Sequence, residues 1–128
     1  MVKFVKLFLI IGWLALIFFL SSISFPDDPA KQKTFFDYIF DKDVHILLYG
    51  ILAYLVISFL AEYKIKFSKI LITAVLFCYF YGITDEWHQG FVLNRGVSYW
   101  DLVFDVIGAI FGVIVYCVFS QKKKPQDV

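Results

Sequence analysis

The sequence predicts an all-α, polytopic membrane protein: four transmembrane helices with a short interfacial helix on the outer side. Three observations carry that reading. The chain is 61% hydrophobic and 21% aromatic with only 18% charged residues, outside the range of a soluble domain. Its apolar residues gather into four uncharged runs, each near the length that crosses a bilayer. Its basic residues fall mostly at one set of run ends, as the charge rule for inserted helices requires. With 128 residues the chain reads as one domain, 1–128, with helices expected at about 5–25, 44–62, 69–88 and 100–120.

The first run, 7–26, has Lys3 and Lys6 before it and Asp27-Asp28 after it. Ser21-Ser22-Ile23-Ser24 resembles the small-residue end of a signal peptide, but the run exceeds a usual signal core and bulky Phe25 and Pro26 follow, so an uncleaved helix is expected. The second run is 44–61. The third, 70–84, and the fourth, 106–121, are short: at helical rise they cover about 22 and 24 Å, against a hydrocarbon core of roughly 30 Å. Lys64, Lys66 and Lys69 close one end of the third run, so it must extend through Asp85 to about His88. Lys122, Lys123 and Lys124 close the fourth, which must therefore begin near Trp100. Asp85, Glu86, His88, Asp101 and Asp105 are then expected at or just below one headgroup layer.

Orientation follows from lysine and arginine placement. Lys3, Lys6, Lys64, Lys66, Lys69 and the terminal triplet share one side; Lys31, Lys33, Lys42 and Arg95 share the other. The richer side is cytoplasmic, which places the protein in the plasma membrane with both termini inside. The triplet reads as a stop-transfer anchor, not a nucleic-acid contact. In the outer loop 27–43, Asp28-Pro29 is a helix start, and Phe35, Phe36, Ile39 and Phe40 repeat at helical spacing. They read as a short helix in the interface or as a structured loop packed on the bundle. Tyr63, Trp87, Tyr99 and Trp100 sit at run ends, as an interfacial aromatic belt does. Cys78 and Cys117 fall inside the helices and give no disulfide framework.

Helical spacing groups the polar residues. Asp41, Lys42, His45, Tyr49 and Leu52 form one stripe at the start of the second helix. Tyr81, Asp85 and His88 form a stripe on the third, with Gln89 beside it. Asp101, Asp105, Gly108 and Gly112 form one on the fourth, whose glycines make a small-residue face for close helix approach. Three helices thus bring ionisable groups to the outer half of the bundle, where such groups mark a functional site by default.

The set Asp41-Lys42, His45, Tyr49, Asp85-Glu86, His88-Gln89, Arg95, Ser98, Asp101, Asp105, Gly108-Ala109 and Gly112 resembles the VanZ-like family of small bacterial membrane proteins. The resemblance covers about 41–115 and the first helix. Leu93-Asn94 stands where that family usually has Pro-Gly before the arginine, and Asp105 where it often has Asn. The founding member is associated with teicoplanin resistance, so the resemblance implies an envelope location and a role near outer-leaflet lipids or cell-wall precursors. It supplies no reaction and no cofactor.

Several readings of the polar set stay open. In an enzyme acting on a lipid headgroup or lipid-linked cell-wall precursor, His45, Asp85, Glu86 and His88 are the catalytic candidates, with Asp85 orienting His88 as a general base. Lys42, Tyr49, Gln89, Arg95, Ser98, Asp101 and Asp105 are then the substrate-binding candidates, with Arg95 clamping a phosphate. In a binding protein without chemistry, Arg95 and the outer aromatic loop hold an anionic lipid and the carboxylates position the arginine. In a structural protein the same groups form an inter-helix ion network. Asp85, Glu86, His88 and His45 are ligand types for zinc or manganese, but their spacing matches no compact metal motif, and no metal is assigned. A proton or ion path requires polar groups in the inner halves too, which the sequence lacks, and an oligomer to enclose it.

Overall fold

In hydrocarbon, backbone amides have only protein partners, so each apolar run closes its own hydrogen bonds as a helix. The computed structural model describes the backbone of residues 1–24 and 35–121 and the side chains of residues 1–24 and 42–120. It contains α1 (Val2–Ser22), α2 (Phe35–Leu60), α3 (Phe67–Gln89) and α4 (Tyr99–Gln121). All four are long and apolar enough to cross a membrane, α2 through its segment Lys42–Leu60. At 23 residues each, α3 and α4 are about 34 Å long. Asp85 to Gln89 therefore close α3 instead of following it, and Asp101 and Asp105 lie in the first turns of α4. Phe35, Phe36, Ile39 and Phe40 form the opening turns of a continuous α2 of 26 residues; no glycine or proline interrupts the chain between Phe40 and Val44. The expected helix start at Asp28-Pro29 lies outside the described residues.

The helices alternate in direction. α2 and α4 run parallel to each other and share the most extensive contact in the bundle. Their backbones touch. A Cβ on Gly108 would run into the main chain of Ile46, and one on Gly112 into the main chain of Gly50. With no side chain between them the two helices close to backbone distance, the arrangement that small residues permit in membranes. α3 fills the space beside both. Gly82 leaves room there for α4: an added Cβ would lie 2.7 Å from Asp105 Oδ2 and 2.9 Å from Leu102 Cδ1.

α1 docks on α2 and α3 through side chains that satisfy main-chain carbonyls. Trp13 Nε1 donates to the Leu48 carbonyl at 2.9 Å, and the Tyr81 hydroxyl donates to the Leu14 carbonyl at 2.7 Å. At the lysine-rich end, Lys6 Nζ donates to the Ser58 carbonyl at 2.9 Å and pairs with Glu62, while the Lys3 ammonium sits 4.3 Å from the centre of the Tyr63 ring. The hydrogen bond from Lys6, reinforced by its charge, holds the Glu62 carboxyl below the usual carboxylate range. At the opposite end Arg95 Nε donates to the Ile23 carbonyl at 3.1 Å, with Nη2 3.5 Å from the Leu20 carbonyl. A cation thus caps the C-terminus of α1, where unpaired carbonyls and the helix dipole favour one. Asn94, immediately before it, has φ 62°. That left-handed conformation is the one glycine adopts freely and asparagine tolerates best among other residues. Leu93-Asn94 therefore supplies a turn that aims Arg95 at α1.

Two substitution pairs test this packing by thermal unfolding in detergent. Gly112→Ala is expected to destabilise the bundle by about 1–3 kcal/mol, the cost of overpacking against a rigid backbone. Gly12→Ala, which meets nothing within 4 Å, is expected to leave the transition unchanged or raise it. Asn94→Gly is expected to be neutral and Asn94→Val to cost about 1–2 kcal/mol for a left-handed β-branched residue. Equal transitions within each pair would contradict the contacts described.

Candidate functional site

Away from the lysine-rich end, α2, α3 and α4 turn a stack of polar side chains toward one another. Helical register sets its layers. Lys42 pairs with Asp101 at the level nearest the start of α4, with both side chains buried. One turn deeper, His45 Nδ1 lies 2.8 Å from Asp105 Oδ1, with Nδ1–H donating to the carboxylate. Tyr49 follows on the same face of α2, fully buried, its ring 6.4 Å from that of His45 and 6.2 Å from that of Tyr81. From Lys42 to Tyr49 the stack is about 10 Å tall at helical rise. α3 contributes Asp85, Glu86 and Gln89, all buried. Gln89 Nε2 donates to Asp85 Oδ2 at 3.0 Å, one turn apart on the helix. Glu86 Oε2 accepts the Ser98 backbone N–H at 2.7 Å, which fixes the loop 90–98 to α3 just before α4 begins. Glu86 is close enough to feel the charges of His45, Asp85 and Lys42.

Among the described residues, four atoms in this stack are buried without a hydrogen-bond partner: Tyr49 Oη, Asp85 Oδ1, Glu86 Oε1 and Asp105 Oδ2. They come from three helices, and the Tyr49 hydroxyl lies in the electrostatic field of both Asp105 and Asp85. Buried polar atoms are ordinarily paired, and each exception calls for an explanation. The charges are also unequal. Among the described residues, Asp85, Glu86, Asp101 and Asp105 face one ammonium, Lys42, and one imidazole, His45. Ion burial in a low-dielectric site is costly without matching charge.

Of the residues singled out from the sequence, Lys42, His45, Tyr49, Asp85, Glu86, Gln89, Asp101 and Asp105 are brought together, with Ser98 joining through its backbone amide. Two are not. His88 points to α1, stacked on Phe18 at 4.2 Å between ring centres, with Nε2 2.9 Å from Ser22 Oγ. Asp85 is held by Gln89, so the carboxylate–imidazole pair in the structure is Asp105 with His45 and not Asp85 with His88. The side-chain stripe on α3 explains the difference: Gly82, Asp85, Glu86 and Gln89 share the face toward α2 and α4, and Tyr81 and His88 share the face toward α1. Arg95 is likewise committed to α1. The side chain of Asp41 lies outside the described residues. Among the described residues no three or more His, Cys, Asp or Glu side chains are arranged to hold a metal. Sequence reasoning missed Gly82, whose lack of a side chain admits Asp105, and Ser22, which it took only as a small residue. The four-residue step between Gly82 and Glu86 was the available signal for the first; nothing local marks the second.

The surroundings suit a membrane boundary. Trp87, Phe91, Leu93, Val97, Tyr99 and Trp100 are all exposed around this end of the bundle, where an interfacial belt lies. The VanZ/LLP1 family model matches residues 5–120, and so spans all four helices and every layer of the polar stack. No curated protein and no solved structure matches the chain. The chain is thus a multi-pass membrane protein that belongs to the VanZ/LLP1 family, a family associated with glycopeptide resistance.

Proposed function

We propose that this protein is a cell-envelope component whose polar stack faces the outside of the plasma membrane and holds the headgroup of a membrane lipid or lipid-linked cell-wall precursor. Outward placement follows from the lysine balance, which puts both termini in the cytoplasm. The opening turns of α2, with Phe35, Phe36, Ile39 and Phe40, then lie in the outer interface. The observation that carries the reading is the set of unpartnered oxygens on Tyr49, Asp85, Glu86 and Asp105, buried at one end of an otherwise apolar bundle. Intramembrane polar groups of this kind are expensive and persist where a ligand or partner uses them.

Binding is favoured over chemistry. Arg95 caps a helix, His88 packs against α1, and Ser98 meets Glu86 through its backbone. A second reading rests on one observation, the buried His45–Asp105 pair, which has the form of an oriented general base. A purely structural network is the third reading; the unpaired oxygens count against it, because a network selected only for stability satisfies its members.

Native mass spectrometry of the gently extracted full chain tests the three. The wild type is expected to carry a lipid-sized adduct of unchanged mass. Asp85→Asn/Asp105→Asn is expected to lose it, while the exposed apolar change Ile72→Ala keeps it. A wild type that carries no lipid would end the proposal. A bound lipid whose mass changes on incubation, and does not in His45→Ala, would replace binding with catalysis.

A further inference from the structure

The unpartnered atoms of the polar stack are mostly acceptors. Lys42 Nζ is paired with Asp101, His45 Nδ1 with Asp105, Gln89 Nε2 with Asp85, and the Ser98 N–H with Glu86. The arginine that would clamp an anion is turned to the Ile23 and Leu20 carbonyls of α1. What remains is one carboxylate oxygen each on Asp85, Glu86 and Asp105. The Tyr49 hydroxyl, on a residue with 0% of its surface exposed, is a fourth and chemically different group left without a partner beside them. A phosphate placed here would add negative charge to a site already rich in it and would meet, among the unpartnered atoms, three carboxylate oxygens and one hydroxyl. A group that brings both positive charge and several N–H bonds would supply what the site lacks.

We infer that the stack recognises a protonated primary amine, with the ammonium donating to the unpartnered oxygens of Asp85, Glu86 and Asp105 beside the Tyr49 hydroxyl. This rests on the headgroup-binding reading above and assigns the sign and donor pattern of that headgroup. The oxygens are enclosed, so a group that reaches them displaces neighbouring side chains, and a narrow group displaces the least. An ammonium on a flexible stem meets that demand, and its three N–H donors match the three carboxylate oxygens. On a zwitterionic lipid the amine enters while the phosphate stays at headgroup level. A quaternary ammonium has the charge without the donors and is recognised by aromatic faces instead.

The test uses delipidated full-length protein in detergent, titrated with phosphatidylethanolamine, phosphatidylcholine and phosphatidylglycerol and read by native mass spectrometry and thermal shift. Phosphatidylethanolamine is expected to bind at least about ten-fold more tightly than either of the others, the scale of one charge-assisted hydrogen bond. That preference is expected to collapse in Asp105→Asn and in Glu86→Gln, both near-isosteric and each checked for helical content and monodispersity. Free ethanolamine separates the sources: competition at millimolar concentration assigns recognition to the amine alone, and amine-selective lipid binding without competition assigns it to the amine on a lipid. Phosphatidylglycerol or phosphatidylcholine binding as tightly as phosphatidylethanolamine to the wild type would overturn the inference and leave headgroup binding standing. Failure of all three lipids to bind would remove the headgroup reading itself.

Discussion

A polar group inside hydrocarbon must find its partner within the protein, because no water is there to replace one. That constraint orders most of the contacts in this bundle. It sends the Trp13 indole to the Leu48 carbonyl, the Tyr81 hydroxyl to the Leu14 carbonyl and the Lys6 ammonium to the end of α2. It turns Arg95 back onto the last carbonyls of α1. Against that background of paired groups, the unpaired oxygens between α2, α3 and α4 stand apart. The same rule that explains the rest of the structure isolates the place where it is not obeyed.

The two ends of the molecule use charge differently. At the lysine-rich end the pairs are exposed or half-exposed, such as Lys6 with Glu62, and water screens them. At the other end Lys42 with Asp101 and His45 with Asp105 are buried, where attraction and desolvation are both large. Pairs of the first kind tie helix ends together. Pairs of the second kind hold a surplus of carboxylate in a fixed arrangement.

Much of the fold was legible because it follows from length and spacing. Segments 70–84 and 106–121 are too short to cross by themselves, and that alone drew Asp85 to His88 into α3 and Asp101 and Asp105 into α4. The glycines at 108 and 112 announced a close helix contact through their four-residue step. The site was legible as a set of residues but not as a set of pairs. Spacing within a helix fixes which side chains share a face; it carries no information on how one helix is rotated against the next. So Asp85 and His88, one turn apart, looked like partners, while His45 and Asp105, sixty positions apart, did not. The role of Arg95 was hidden for another reason. Its acceptors are backbone carbonyls, which every residue has and no sequence distinguishes.

The contact of α2 with α4 also settles a choice that Lys42 alone leaves open. Asp101 and Asp105 are one turn apart, so drawing α2 along α4 by about 5.4 Å would set Lys42 opposite Asp105 and still offer an ion pair. It would, however, cost His45 its acid, because Ala109 would stand where Asp105 does, and the sterics oppose it too: the same slide would bring Tyr116 up against the bare backbone of Gly50, where only Gly112 now fits. Tyr116 instead packs edge-on against Tyr54, with ring centres 5.4 Å apart. The glycines therefore act as a ratchet stop, and the absence of two side chains helps decide that Lys42 meets Asp101 and His45 meets Asp105.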